Sequence, residues 1–212
     1  MLTRSPSIIE TGPTTCALEQ GRSARLGGAL FRKRGWLPVP FVLIVLLVPA
    51  RSGWPLWIAG AILILVGEAI RLCGVAAAGT VTRRRSRNVQ RLVTYGIFAW
   101  VRNPLYVGNF LIWMGFVTAS GVVLFLPVAI ALFAIEYSLI VAYEESVLES
   151  IFGAEYLAYK HATSRWLPRP PATHTRGQHD WAEAWRSEAS TFIQYAVLVV
   201  ALIAKGRFLA VR

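Results

Sequence analysis

The chain has 212 residues, of which 55% are hydrophobic and only 16% are charged, and its mean hydropathy is +0.51. This composition is too apolar for an ordinary soluble domain, so it predicts a membrane protein. The net charge of +11 fits basic segments beside anionic lipid headgroups. We expect no nucleic-acid binding, because no polar module separates from the apolar runs. Cys16 and Cys73 are too few for a disulfide framework or a zinc cluster, so no metal site is predicted.

The first part of the chain predicts a polar arm followed by a membrane hairpin. Residues 1–35 are polar and become basic towards their end, which predicts a flexible cytoplasmic arm. A cleaved signal peptide is not expected, because its apolar core would begin earlier. Residues 37–50 and 54–79 predict two membrane helices joined by a tight turn. The first of them is short for the ~20 residues that a span normally needs.

The rest of the chain predicts a second hairpin and a further apolar run near its end. Residues 105–119 and 122–143 form the two arms of this hairpin, and residues 192–204 either span the membrane or lie at its surface. The predicted fold is an all-α polytopic membrane bundle of about four to five transmembrane helices. Its expected parts are the arm, a membrane domain over 36–170 and a C-terminal extension over 171–212.

Basic residues between the two hairpins orient the predicted bundle. Lys and Arg concentrate in cytoplasmic loops, and the loop between the hairpins carries Arg83, Arg84, Arg85, Arg87, Arg91 and Arg102. The turns within the hairpins hold a single arginine. We therefore expect the polar segments that follow the first hairpin and the second hairpin to share the cytoplasmic side.

Three charged residues fall inside the predicted membrane helices, where charges are costly. Glu68 and Arg71 are three residues apart on one helix, so they either form a structural ion pair or line a pocket. Glu136 lies deep in a later helix. It is expected to be protonated, to bond a neighbouring helix or to line a substrate cavity.

Two carboxylates end the second arm of the second hairpin. A helix C-terminus repels negative charge through its dipole, so Glu144 and Glu145 suggest a cationic partner, although a solvated acidic end is the simpler interpretation. The following residues, 149–166, alternate apolar and polar types, and Gly153 can break them into two turns. This pattern predicts an amphipathic cap on the cytoplasmic interface.

Together these motifs resemble a known family. Residues 92–98 read Leu-Val-Thr-Tyr-Gly-Ile-Phe, residues 102–108 read Arg-Asn-Pro-Leu-Tyr-Val-Gly, and a Glu-Glu pair precedes Phe-Gly-Ala-Glu-Tyr-Leu-Ala-Tyr at 152–159. In order, spacing and membrane placement this is similar to the isoprenylcysteine carboxyl methyltransferases and their relatives among phospholipid methyltransferases. The resemblance covers about residues 54–168.

The resemblance implies a helical membrane enzyme that uses S-adenosylmethionine and holds it under the cytoplasmic cap. Cofactor contacts are then expected at Gln90, Arg91, Leu92, Val93, Phe98, Asn103, Pro104, Leu105, Tyr106 and Glu144. A carboxylate suits the ammonium of this cofactor, and aromatic rings suit its sulfonium. Glu145 and Arg102 are the predicted catalytic residues.

Three positions depart from the family pattern. Asn103 stands where the family usually has His, which excludes a histidine base, and Phe98 stands where it usually has Tyr. The prenylcysteine enzymes carry an Arg for the substrate carboxylate where this chain has Ile140. We therefore expect a lipophilic acceptor without a free carboxylate, reaching the site from the bilayer.

Two other interpretations stay open at this stage. A membrane sterol or polyprenyl reductase can share this helical layout and would bind a nicotinamide cofactor at the same face. A non-catalytic membrane protein could keep the same motifs as helix caps and turns. The predicted partners are membrane lipids and a lipid or small-molecule acceptor, whereas the oligomeric state is not predicted.

Overall fold

The computed structural model describes residues 28–32, 35–36, 38–79, 91–171 and 176–208, and all regular structure within them is helical. After a helical segment at 28–32, the helices labelled here follow in chain order: α1 Pro38–Leu47, α2 Trp54–Ala78, α3 Pro104–Ala119, α4 Leu126–Phe152, α5 Ala154–Ala162 and α6 Trp181–Phe208. Short 3-10 turns, Gly96–Ala99 and Val123–Phe125, precede α3 and α4. The expected all-α bundle is confirmed.

Three of the helices are long and apolar enough to cross a membrane: Trp54–Ala78, Val123–Phe152 and Trp181–Phe208. The apolar helices α1 and α3 are shorter, with 10 and 16 residues. Together they match the expected four to five membrane helices. The last helix has 28 residues, many more than the apolar run at 192–204, so it is long enough to span where the sequence left this open.

Glycines bring α2 and α3 into backbone contact. Gly60 and Gly67 on α2 lie seven residues apart and face Gly115 and Gly108 on α3. A Cβ added at Gly67 would lie 2.6 Å from the carbonyl oxygen of Gly108, and one at Gly60 would lie 2.6 Å from that of Gly115. Because lipid surrounds the helices, such close packing is a main source of attraction between them.

A short helix forms within the segment 149–166 where the sequence predicted a cap, but residues 149–152 continue α4. Gly153 ends α4 and adopts φ +52, a conformation that residues with a side chain rarely take, so the chain turns there and continues as α5. α5 lies over the end of the bundle where α2 and α4 finish and where α3 and α6 begin. This end is called the capped end below.

The opposite end is closed by a lysine and by the two hairpin turns. Lys205 Nζ on α6 donates to the carbonyl oxygens of Val45 at 2.7 Å and Ser120 at 3.3 Å. Ser52 Oγ donates to the carbonyl of Ala119 at 2.6 Å. The buried lysine therefore fastens α6 to the last turns of α1 and α3.

Candidate functional site

A cavity of about 1230 Å³ lies under the cap and extends between the helices. Each predicted cofactor residue that the structure describes lies on its wall: Arg91, Leu92, Val93, Phe98, Asn103, Pro104, Leu105, Tyr106 and Glu144. Gln90 and the arginines at 83–87 lie outside the described residues, as does most of the predicted arm. Glu145 and Arg102, the predicted catalytic residues, also line this cavity.

The start of α3 forms the floor of the capped part of the cavity. Pro104 begins the helix, and the carbonyl of Asn103 accepts the N–H groups of Tyr106 and Val107, both at 3.1 Å. The N-terminal end of a helix carries partial positive charge. Since Pro104 and Leu105 line the cavity there, the floor favours an anionic group.

Glu144 is held against this floor by a tyrosine. Tyr106 Oη donates to Glu144 Oε1 at 2.8 Å, which joins the first turn of α3 to the last turns of α4. The ring of Tyr106 meets that of Tyr137 edge to face, with centroids 5.0 Å apart. A carboxylate fixed in this way offers a negative charge to a ligand without having to reorganise.

Arg91 supplies positive charge on the same cavity wall. Its guanidinium donates to Tyr95 Oη at 2.8 Å and lies 5.6 Å from the centre of that ring. Tyr95 is itself buried and lies within hydrogen-bonding distance of the carbonyls of Ala77 and Gln178. The cavity therefore presents a cation and a carboxylate from two different segments.

Glu145 is engaged by two arginines. Arg102 Nη2 lies 3.1 Å from Glu145 Oε1, and Arg165 contacts both carboxylate oxygens. Arg102 also donates from Nη1 to the carbonyl of Lys160, in the last turn of α5, and to that of Thr163, the residue after α5. The geometry thus makes this pair a clamp on the cap, and both carboxylate oxygens of Glu145 contact an arginine.

Tyrosines and backbone groups complete the attachment of the cap. Tyr159 Oη donates to the carbonyl of Phe98 at 2.8 Å, and Asn103 Nδ2 donates to that of Arg165 at 3.2 Å. Burial raises the pKa values of Tyr156 and Tyr159, so both hydroxyls stay protonated through the neutral range. The cap is therefore bonded directly to the turn that carries the predicted cofactor contacts.

A second polar cluster borders the cavity deeper in the bundle. Arg71 Nη2 donates to both carboxylate oxygens of Glu188 on α6, at 2.8 Å to Oε1 and 3.0 Å to Oε2. Its Nη1 donates to Asn109. Arg71 Nε also lies 3.5 Å from Glu68, which accepts from Tyr195 Oη at 2.9 Å. The Glu68–Arg71 pair is therefore structural, and Arg71 lines the cavity as well.

Sequence reasoning missed the part that α6 plays. Glu188, which is fully buried, ties this helix to α2, and Thr191, Gln194, Leu198 and Ala201 line the cavity. An acidic residue four positions before a long apolar run was the available signal.

Glu136 and Ile140 do not belong to the described cavity wall. Ile140 therefore does not face the cavity that its departure from the family pattern was expected to shape.

Comparison with known proteins supports the resemblance. Residues 56–155 match the family model for phospholipid methyltransferase. The chain is 33% identical to protein-S-isoprenylcysteine O-methyltransferase A of Arabidopsis thaliana, over 59% of this chain and 66% of that protein. It is 30% identical to the protein-S-isoprenylcysteine O-methyltransferases of Xenopus laevis and Homo sapiens, over 52% of this chain and 40% of each.

These relatives are longer than the region that they share with the chain, which spans from two fifths to just under two thirds of their length. No solved structure matches the chain significantly. The matched region contains most of α2 and all of α3 and α4; α3 carries Tyr106 and α4 carries Glu144. Residues 56–155 therefore form a phospholipid methyltransferase family domain, and the chain is similar to the protein-S-isoprenylcysteine O-methyltransferases.

Proposed function

We propose that the protein transfers a methyl group from S-adenosylmethionine to a lipophilic acceptor at the cytoplasmic face of a membrane. The observation that carries this proposal is the cavity at the capped end. It gathers Arg91, Glu144, Phe98 and Tyr106 around the N-terminus of α3.

The residues present fit the charges of this cofactor. Its amino-acid end carries an ammonium and a carboxylate, and its reactive sulfur is cationic. Glu144 suits the ammonium, whereas Arg91 or the start of α3 suits the carboxylate. The rings of Phe98 and Tyr106 suit the sulfonium by cation–π attraction.

The size of the cavity favours two ligands. Pockets for one small molecule measure about 300–1,000 Å³, and the cavity of about 1230 Å³ exceeds that range. Its wall passes from polar groups under the cap to apolar side chains such as Ile112 and Leu198. A polar cofactor under the cap and an apolar acceptor below it fit this division.

When bound, S-adenosylmethionine supplies an electrophilic methyl group and leaves as an uncharged thioether. In-line displacement depends mainly on alignment and on exclusion of water. We assign that work to the cap, which Tyr159 and Asn103 bond to the turn before α3. Arg102 and Glu145 act as positioning residues, because their ion pair holds the cap in place.

The acceptor on this proposal carries no free carboxylate. The relatives are named for isoprenylcysteine, but Arg71 on the acceptor side of the cavity is already neutralised by Glu188 and Glu68. A carboxylate beside it would lack a partner and would be costly to bury. We expect methyl transfer from radiolabelled cofactor to a host lipid extract to exceed transfer to farnesylcysteine analogues, and the reverse order would contradict this assignment.

Calorimetric titration of the purified protein tests the cofactor. We expect S-adenosylhomocysteine, the product of the cofactor, to bind and NADPH not to bind. Binding of NADPH alone would instead support a membrane reductase, and binding of neither would support a protein without catalytic function.

A further inference from the structure

The deeper part of the cavity is built largely by helices outside the family match. Its wall consists of Val42 and Leu46 from α1, Trp113 and Phe116 from α3, and Leu198 and Ala201 from α6; these six residues define the deep branch. The match covers residues 56–155, so α1 and α6 lie outside it. The shape of the deep branch therefore depends on residues that the family motifs do not include.

The deep branch has a defined length. Along α6 the cavity wall runs from Thr191 to Ala201, which is about 15 Å at the rise of an α-helix. Asn109 lines the cavity at the upper end of the branch and accepts a hydrogen bond from Arg71. Gln194 also lines the cavity. Below this level the side chains that define the branch are all apolar, so it suits a hydrocarbon chain and no further charged group.

The three helices that bound the branch are joined just beyond its lower end. Lys205 lies one helical turn beyond Ala201 and donates to Val45 on α1 and to Ser120 after α3. Removing a buried ammonium from these two carbonyls would be costly, so α1, α3 and α6 stay joined here. A chain that fills the branch must therefore end near Ala201.

We propose that the deep branch binds the hydrocarbon chain of the acceptor and that Ala201 sets the length of chain accepted. This inference rests on the proposed methyl transfer, because only that reaction makes the bound molecule an acceptor. The test measures binding of the hydrocarbon chain alone. A larger side chain at position 201 fills the lowest part of the branch and excludes the last methylene groups of a long chain. Each excluded methylene group lowers affinity about fourfold.

The probes are straight-chain primary alcohols from octanol to octadecanol, which carry an uncharged polar group. Their binding to the full chain is measured by native mass spectrometry for the unmodified protein, Ala201→Trp and the control Val200→Trp. Val200 neighbours Ala201 but is exposed on the outer face of α6, away from the cavity wall. S-Adenosylhomocysteine binding is measured on each sample as a check on the capped end.

Because about twelve carbons fill 15 Å, we expect Ala201→Trp to lose dodecanol by tenfold or more and to keep octanol. Val200→Trp should keep the dependence of affinity on chain length that the unmodified protein shows. If Ala201→Trp does not fold, Ala201→Leu is expected to shift the profile in the same direction by a smaller step. The proposal would be overturned if a folded Ala201 variant showed the same dependence of affinity on chain length as the unmodified protein. It would also be overturned if the affinity of the unmodified protein did not depend on chain length. Failure of the unmodified protein to bind S-adenosylhomocysteine would overturn the proposed function instead, whatever the alcohols do.

Discussion

The capped end of the bundle and the deep branch are held together in different ways. At the capped end, polar side chains from the turn before α3, from α4 and from the cap bond one another, as in the pairs Tyr106–Glu144 and Arg102–Glu145. The deep branch is bounded by apolar faces, and its polar attachments lie at its upper and lower edges. The first arrangement fixes the positions of charges, whereas the second fixes a shape. On the proposed function, the capped end governs the cofactor and the deep branch governs the acceptor.

The largest expected effect comes from releasing α6 from the core. Glu188→Ala leaves Arg71 buried without its main partner, and breaking a buried pair in this way costs about 3–5 kcal/mol. Glu183→Ala, in the first turn of the same helix, is the control and should cost less than about 1 kcal/mol. Thermal unfolding in detergent measures both. An equally small loss of stability in both variants would mean that the ion pair does not hold α6 in place.

The next effect concerns the contact between α2 and α3 that supports both regions. A Cβ at Gly108 would lie 2.6 Å from the carbonyl oxygen of Gly67 and 2.6 Å from Cγ of Arg71, so Gly108→Ala should destabilise by about 1–3 kcal/mol. Gly206 has no neighbour within 4 Å of an added Cβ. Gly206→Ala should therefore stabilise slightly, by about 0.4–1 kcal/mol. Unfolding transitions that move in the same direction for both variants would contradict the close approach of these helices.

The sequence could predict those parts of the molecule that depend on local patterns. The helix at 54–79 and the break at Gly153 follow from apolar length and from glycine, so these parts of the fold were predictable. The residues around Asn103-Pro104 and Glu144 follow from the motifs. Their presence in one cavity agrees with that prediction, while their roles stay predictions.

What the sequence could not supply is the pairing of distant helices. Glu188 and Arg71 are 117 residues apart, and no local pattern connects them. The apolar faces of α1 and α6 resemble any lipid-facing helix, so their place on a cavity wall depends on packing that only the folded chain defines. The sequence predicts Glu145 as a catalytic residue, but no local pattern predicts that Arg165, which follows the cap helix α5, forms an ion pair with it.

The smallest expected effect tests the attachment of the cap. Tyr159→Phe removes the hydrogen bond to the carbonyl of Phe98 and should cost about 1 kcal/mol at neutral pH. Burial raises the pKa of Tyr159 in the folded protein above the ordinary value of about 10. Above that pH the unfolded chain releases a proton that the folded protein keeps, so the stabilising contribution is lost as pH rises.

Between about pH 8 and about pH 11, the stability advantage of the unmodified protein over Tyr159→Phe should therefore hold up to about pH 9 and then fall to zero or reverse. Thermal unfolding across this range measures it. A difference that stays constant would mean that the Tyr159 hydroxyl titrates alike in the folded and unfolded protein, contrary to its burial.

The central claim is that the capped end binds S-adenosylmethionine through Glu144. The most direct test is the calorimetric affinity of S-adenosylhomocysteine for the unmodified protein, for Glu144→Gln and for the control Glu155→Gln, whose carboxylate lies on the cap outside the cavity wall. We expect Glu144→Gln to weaken binding by about 1.5–3 kcal/mol, the usual worth of a hydrogen bond to a charged group, and Glu155→Gln to leave it unchanged. Equal affinity in all three proteins would contradict the assignment of Glu144 and with it the placement of the cofactor at the capped end.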